Sequence, residues 1–364
     1  MRTPLFLLLS VLALFTHASA KAENALLKKP GLKVLDIGNS YTDDATALLP
    51  RIAEASGSDL SDMCLYKAYR SGASFKNWYD GYYDRDDNDY SISKVLGGID
   101  ANITTGSGTG TDGKLFREAL ANEQWDLIII HQNSTYAPYY EQWNTAEDGG
   151  YLRELLSLLK ELQPQAAIGF LLVHSYWDGY RGNKEKSSLV RWQLIANSTR
   201  QLCENYDISF VIPYGTAVEN LRASSLNNEY DLTCDGTHLG FGLCKYTAAC
   251  CYYECLIAPR TGISVLENTA RYDASYVETK YPAVSVTDEN AAIAQMAAIL
   301  ATENWYGCEN PETTLSGSVP PVKSGRTFEY SYSLGGLRSN RLHRGINIVQ
   351  DHSGKMIKLM QWKN

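Results

Sequence analysis

Short apolar runs alternate with longer amphipathic segments from residue 31 to about residue 256, and this alternation constrains the fold more than any other feature. The runs that indicate buried strands are KVLDI, MCLYKAY, DLIIIH, AAIGFLLV and ISFVIP. The segments between them place apolar residues near the helical period of 3.6. Strands that alternate with helices form parallel sheets with helices on both faces. The sequence therefore predicts a three-layer α/β/α sandwich, flavodoxin-like, around a mostly parallel sheet.

The predicted helices follow the same apolar spacing. They are DATALLPRIAEASG, GYLRELLSLLKEL, SLVRWQLIANSTRQLCENY, TAVENLRAS and, beyond the sheet, TDENAAIAQMAAILATEN. A helix is also expected from about Leu243, where the apolar stretch CKYTAACCYYECLIA includes Cys250, Cys251 and Cys255. We interpret these thiols as core residues or disulfide partners rather than metal ligands, because the chain has no CxxC pair. Neither a metal nor a cofactor is predicted.

The two ends of the chain differ in composition from its centre. Residues 1–20 combine Arg2, an apolar run and a small-x-small ending, which predicts a secretory signal peptide and an exported, periplasmic, cell-surface or secreted protein. Residues 21–307 form the predicted main domain. Residues 308–325 are rich in Pro, Ser, Gly and Thr and form a predicted linker, and residues 326–364 a β-rich module. No later run of apolar residues reaches the length of about 18 residues that a transmembrane helix needs.

The C-terminal module contains the segment GINIVQDHSGKMIKLMQ. This segment resembles the sorting modules of type IX secretion, and a plain β-rich appendage is the alternative. The resemblance implies secretion machinery as a partner of the tail. A formal net charge of −8, without a Lys/Arg run, argues against a nucleic-acid partner.

The stretch VLDIGNSYTDD holds a serine where a strand gives way to a helix. Ser40 would stand at the carboxyl edge of the sheet, where open α/β sheets keep their chemistry. Serine needs a base within hydrogen-bond reach and a third group to orient that base. Asp235 and His238, three residues apart in CDGTHLGFG, offer both from one loop.

Four blocks together resemble the SGNH (GDSL-like) hydrolases, in particular a bacterial subgroup with a Gly-Asn-Ser first block. The blocks are DIGNSYTDD, SGASFKNW, WDLIIIHQNS and DGTHL, and their order and spacing agree over residues 31–256. The resemblance implies that Ser40 is the nucleophile. His238 would be the general base and then acid, and Asp235 would orient it.

The resemblance also implies an oxyanion hole made of the N–H groups of Ser40 and Gly72 and one side-chain amide. The amide comes from Gln132 or Asn133, because HQNS replaces the usual Gly-x-Asn-Asp. We expect Gln132 to be the donor, since side chains alternate along a strand and its longer side chain reaches further. The first block also departs from the family, with Asn39 in place of the usual aspartate.

Further residues near the predicted strand ends are expected to contact substrate. They are Asn39, His131, Tyr136, Tyr139 and His174. Two tyrosine-rich segments, NWYDGYYDRDDNDY and STYAPYYEQWN, are predicted as loops that suit stacking on sugar rings, and rigid packing is the alternative. For either histidine the alternative is a hydrogen-bonded structural role.

We therefore expect an exported serine esterase, most plausibly a carbohydrate esterase that removes acetyl or similar acyl groups from an acylated carbohydrate or another small ester. A lipase or thioesterase of the same superfamily is one alternative. A surface glycan-binding protein that keeps the frame without turnover is the other. Hydrolysis of simple acetyl esters separates the enzymes from the binding protein.

Overall fold

A computed structural model describes residues 25–83, 90–107 and 114–316 and four short strands between residues 330 and 361. The predicted signal peptide and the second half of the predicted linker lie outside these residues. Backbone contacts divide the chain into two compact units, Met1–Pro311 and Glu312–Asn364. The domain limits predicted from composition stay a prediction.

The first unit is built on a six-stranded sheet in the order β3-β2-β1-β4-β5-β6. The strands are β1 Leu32–Gly38, β2 Met63–Tyr69, β3 Ser91–Gly97, β4 Leu127–Ile130, β5 Ala167–Leu171 and β6 Phe210–Ile212. Neighbouring strands run parallel except β2 and β3. The chain leaves β1 in one direction and enters β4 on its other side, so the carboxyl ends of β1 and β4 form the switch point at which ligands bind such sheets.

Eleven named helices accompany the strands over the described residues. They are α1 Ser40–Thr46, α2 Leu49–Ala55, α3 Phe75–Tyr83, α4 Lys114–Asn122, α5 Leu152–Leu162, α6 Ser188–Tyr206, α7 Tyr214–Arg222, α8 Leu243–Leu256, α9 Ala258–Thr261, α10 Asp288–Glu303 and α11 Pro311–Ser316. Short 3₁₀ turns span Tyr140–Gln142 and Val265–Glu267. No described helix combines the length and apolar character needed to cross a membrane.

The predicted fold class is confirmed, and the five predicted strands all form. The helix predicted over residues 44–57 is instead two helices, α1 and α2, that meet near Leu48. Pro50 stands in the first turn of α2, where its missing N–H costs no hydrogen bond. Helix α10 begins with a capping box. Asn290, at the position that usually holds Glu or Gln, accepts from the backbone N–H of Thr287 at 2.9 Å.

Several elements differ from the sequence prediction. Helices α4 and α11 were not predicted, and α11 lies within the predicted linker. Strand β3 was not predicted, because SISKVLG alternates only in part and pairs antiparallel at the edge of the sheet. The tyrosine cluster NWYDGYY was predicted as a loop but forms most of α3, which buries Trp78 against Phe116 with ring centroids 4.7 Å apart. Long-range ring packing decides this segment more than its local polarity.

The second unit has an antiparallel sheet in the order β10-β9-β7-β8. Its strands are β7 Tyr330–Tyr332, β8 Arg338–Ser339, β9 Gly345–Gln350 and β10 Met356–Gln361. The runs GINIVQ and KMIKLMQ were both predicted as β-structure, and they form the pair β9 and β10.

Candidate active site

Ser40 begins α1 directly after β1, at the switch point of the sheet. Asn39 caps this helix, and its side-chain oxygen accepts from the backbone N–H of Tyr41 at 2.9 Å. Such a cap fixes the turn between strand and helix, so the Ser40 side chain has little freedom. Ser40 remains partly exposed while Asn39 and Tyr41 beside it are buried.

His238 and Asp235 lie on one loop before α8. This loop contacts Ser40, which lies 198 residues before His238 in the chain. The Ser40 hydroxyl lies 2.9 Å from Nε2 of His238, and Nδ1 of the same ring lies 2.6 Å from Oδ2 of Asp235. The structure thus brings together all three members of the predicted triad.

Asp235 is held as a carboxylate by its own loop. Its Oδ1 accepts the backbone N–H groups of Thr237 and His238, each at 2.8 Å, and the Thr237 hydroxyl at 2.9 Å. Partial burial raises the pKa of Asp235, but these hydrogen bonds outweigh it and the pKa lies well below its usual range. The charged form that orients an imidazole is therefore the stable one.

The loop that carries Asp235 and His238 is held in place by hydrogen bonds to the carbonyl of Thr237. This oxygen accepts Nε2–H of His174 at 2.8 Å and the hydroxyl of Tyr41 at 2.9 Å. The two rings stack at 4.1 Å, and Nδ1 of His174 accepts from Tyr214 at 3.0 Å. Burial holds the pKa of His174 well below its ordinary value. The prediction that His174 contacts substrate is not supported, because its ring is buried with both nitrogens occupied.

Asp44 supplies a second link that the sequence analysis missed. Its carboxylate is buried in α1 and accepts the backbone N–H of Leu239 and the ammonium group of Lys245, each at 2.9 Å. Helix α1, which carries Ser40, is thereby bonded to the residue that follows His238. In the sequence Asp44 looks like any acidic residue in a first helical turn, so no local signal could have found it.

His131 supports the turn that carries Ser40. Its Nδ1–H donates to the carbonyl of Gln132 at 3.1 Å, and Nε2 accepts the backbone N–H of Asn39 at 3.3 Å and the Thr42 hydroxyl at 3.0 Å. Complete burial lowers the pKa of His131 to about 4. A Cβ at Gly38 would stand 2.3 Å from Nε2, so only glycine admits the ring here. His131 therefore supports the turn, and its burial favours the hydrogen-bonded structural role that the sequence analysis gave as the alternative to substrate contact.

Asn39 likewise lies away from solvent, contrary to its predicted contact with substrate. Its side chain is buried, and Nδ2 donates to the carbonyl of Ala73 at 2.9 Å, which joins the Ser40 turn to the turn after β2. An ionised aspartate could not donate this hydrogen bond. This hydrogen bond explains why asparagine suits the middle position of the Gly-Asn-Ser block in this chain.

The structure places the two candidate amide donors opposite to our expectation. The Gln132 side chain is buried, its amide nitrogen donates to Gly149 at 2.6 Å, and its oxygen accepts the N–H of Asn133 at 2.8 Å. The Asn133 amide instead lies beside Gly72 and donates to its carbonyl. Gly72 has φ of +62°, a left-handed turn that favours glycine. The alternation of side chains along a strand does not apply to either residue, because β4 ends at Ile130.

Tyr136 and Tyr139 are partly exposed, unlike the other predicted substrate residues. Tyr136 packs on Gly149, where a Cβ would stand 2.5 Å from its ring. Tyr139 donates its hydroxyl to Glu185 at 2.5 Å, and Glu185 pairs with the buried Arg191 at 2.6 Å. Both rings are fixed in place, with surface left for a ligand.

Within the described ranges, no group of three or more His, Cys, Asp and Glu side chains is arranged to hold a metal ion. Cys250 and Cys251 are buried in α8.

Comparisons with known proteins agree on the family and the fold. The sequence profile of "Domain of unknown function (DUF4886)" matches residues 33–293. A crystal structure of a DUF4886 family protein from Bacteroides uniformis is 23% identical, with a TM-score of 0.59 over 77% of this chain and 97% of that one. No curated protein matches the sequence.

Two more distant structures are similar to parts of the chain. One protein, proposed to be an SGNH hydrolase, comes from Slackia heliotrinireducens. It is 18% identical, with a TM-score of 0.41 over 62% of this chain and 98% of its own. A Parabacteroides merdae protein, proposed to be a GDSL-like lipase, is 16% identical, with a TM-score of 0.41 over 63% of this chain and 96% of its own.

Proposed function

The chain belongs to the DUF4886 family, and we propose that it is an exported serine esterase that removes acetyl or similar acyl groups from carbohydrates. One observation carries the proposal: the continuous hydrogen-bonded chain from Ser40 through His238 to Asp235, with separations of 2.9 and 2.6 Å. A serine activated in this way attacks carboxylic esters and needs no redox partner.

In the proposed reaction Nε2 of His238 takes the proton of Ser40 as Oγ attacks the ester carbonyl. Asp235 stays ionised and stabilises the imidazolium that forms. The imidazolium then gives its proton to the leaving alcohol, and an acyl-enzyme remains on Ser40. Water, activated by the same ring, releases the acid and restores the hydroxyl.

The negative oxygen of the tetrahedral intermediate needs donors that are already in place. We assign these to the N–H groups of Ser40 and Gly72 and to the side-chain amide of Asn133. An amide nitrogen carries two hydrogens, so Asn133 keeps its bond to the Gly72 carbonyl and directs the second hydrogen at the oxyanion. We do not assign this role to Gln132, whose amide nitrogen donates to the carbonyl of Gly149 at 2.6 Å.

The preference for a carbohydrate ester and the export of the chain rest on weaker support. Residues 1–20 have the pattern of a signal peptide, and the aromatic side chains of Tyr136 and Tyr139 stand partly exposed near the site. An acyl group on a sugar hydroxyl is a substrate that an exported hydrolase can meet outside the cytoplasm.

The test is hydrolysis of p-nitrophenyl acetate and of chemically acetylated polysaccharides by the whole chain. Ser40→Ala is expected to abolish both activities. Ser61→Ala is the matched control, because this exposed serine precedes β2 at the opposite edge of the sheet. Absence of turnover on every ester, or activity retained by Ser40→Ala, contradicts the proposal.

A further inference from the structure

Three aromatic rings from separate segments meet beside the catalytic loop. Tyr230 and Tyr281 stack at 4.1 Å with an interplanar angle of 11°, and Trp177 meets the edges of both at 5.5 and 5.3 Å. All three side chains are partly exposed. We call these three residues the ring cluster. None of them was selected from the sequence.

Two members of the cluster, Trp177 and Tyr230, are linked to the loop that carries Asp235 and His238. The N–H of Trp177 donates to the carbonyl of Gly236 at 3.0 Å. The carbonyl of Tyr230 accepts from Thr233, whose hydroxyl accepts the N–H of Gly236 at 3.1 Å.

The segment of Tyr281 is anchored on the other side of the base. Val284 donates to Phe241 at 3.2 Å and accepts from Leu243 at 2.7 Å. The ring cluster is thus held at a fixed position relative to His238. A ligand that contacts these rings is held in register with the triad.

The surroundings of the cluster indicate the chemistry of the ligand. Charged residues accompany the rings: Asp178 follows Trp177 in the chain, Glu229 precedes Tyr230, and the Lys280 ammonium lies 5.1 Å from the Tyr281 ring. Aromatic surface suits the C–H face of a sugar ring, and charged groups suit its hydroxyls. A long acyl chain would leave these charges without hydrogen-bonding partners.

We infer that the ring cluster binds the carbohydrate part of the substrate by stacking against a pyranose ring while the acyl group lies at Ser40. This inference rests on the proposed function and adds to it the residues that recognise the sugar. Small aryl esters lack a pyranose and do not need the cluster. Loss of the cluster should therefore affect glycan esters alone.

The experiment compares three single variants on three substrates. Trp177→Ala and Tyr281→Ala remove members of the cluster. Tyr276→Ala is the control, because Tyr276 lies on the same loop as Tyr281, is more exposed, and contacts Tyr272 instead. The substrates are a partially acetylated xylo-oligosaccharide, p-nitrophenyl acetate and p-nitrophenyl decanoate. Thermal melting of each variant reports folding.

We expect the two cluster variants to raise KM for the oligosaccharide about five- to tenfold and to change p-nitrophenyl acetate hydrolysis by less than about twofold. Tyr276→Ala should change neither. Unchanged KM for the oligosaccharide overturns the inference. So does an equal loss on all three substrates by a folded variant, or a loss confined to the decanoate.

Direct binding separates this inference from the proposed function. In a Ser40→Ala chain, calorimetric titration with the same oligosaccharide should give a Kd that Trp177→Ala weakens about five- to tenfold. If wild type hydrolyses no ester but this difference in Kd persists, the esterase proposal fails and the cluster stands. If hydrolysis occurs but Trp177→Ala leaves Kd unchanged, the ring cluster does not bind the sugar, and the esterase proposal is unaffected.

Discussion

Three histidines gather at the carboxyl edge of the sheet, in two contrasting environments. His131 and His174 are about 1% exposed and are bonded to backbone and hydroxyl groups of the turns around Ser40 and Thr237. The His238 side chain is 36% exposed and lies between a carboxylate and the serine hydroxyl. The comparison teaches that burial and partner decide the role of a histidine. Neutral buried rings position backbone, and the exposed ring beside a carboxylate can move a proton.

The sharpest way to break this comparison is to remove the exposed ring. His238→Ala should lower kcat on p-nitrophenyl acetate about 10⁴-fold, because the base disappears while the oxyanion donors remain. The melting temperature should stay close to wild type, since the side chain is partly exposed. Steady-state kinetics and thermal melting check both parts. A folded variant with near-normal turnover would remove His238 from the mechanism.

A smaller effect is expected at the amide donors. Asn133→Ala should lower kcat about 10² to 10³-fold and leave KM nearly unchanged, because the charge it stabilises exists only in the transition state. Gln132→Ala should act mainly on stability, as the carbonyl of Gly149 loses its partner. Kinetics of the two variants side by side decide the assignment, and the reverse ranking would restore Gln132 as the donor.

The buried histidine His131 provides the comparison with His238. His131→Ala leaves the N–H of Asn39 without its acceptor and removes one of the two partners of the Thr42 hydroxyl, which should cost about 1 to 3 kcal/mol of unfolding free energy. We expect turnover to fall only about tenfold at a temperature where the variant is folded. Urea unfolding with activity measured below the transition tests this. If His131→Ala lost as much activity as His238→Ala without losing stability, the proposed difference in role between the two histidines would be contradicted.

The smallest effect on turnover is expected at Asp36, whose carboxyl group accepts from the Thr42 hydroxyl in the same turn. Burial raises its pKa from 3.8 to about 7, although the Tyr252 hydroxyl at 2.9 Å lowers it. Between about pH 4 and 7 the folded chain holds a proton that the unfolded chain has released, so this group makes stability decline as pH rises, by up to about 1.4 kcal/mol per pH unit.

Asp36→Asn keeps the shape of the neutral group and removes this titration. The melting temperature of the variant should therefore fall less steeply than that of wild type from pH 4 to 7. A parallel pH profile would show that Asp36 is already ionised in the folded chain.

Local patterns were enough to predict β1, the serine turn and the Asp235–His238 pair, because each depends on residues within a few positions. The roles of Asp44 and His174 could not be predicted, since their bonds to Leu239 and Thr237 span 195 and 63 residues. The same holds for Gln132, whose direction is set by the distant carbonyl of Gly149. Buried polar groups show their function only when their partners are known.

Covalent labelling by a fluorophosphonate tests the central claim most directly, because only a serine activated by a neighbouring base reacts readily. We predict one label on the intact chain, located at Ser40 by peptide mass spectrometry. The label should be absent in Ser40→Ala, strongly reduced in His238→Ala and retained in folded His131→Ala. Labelling that persists in Ser40→Ala, or an unlabelled wild-type chain, would contradict the account.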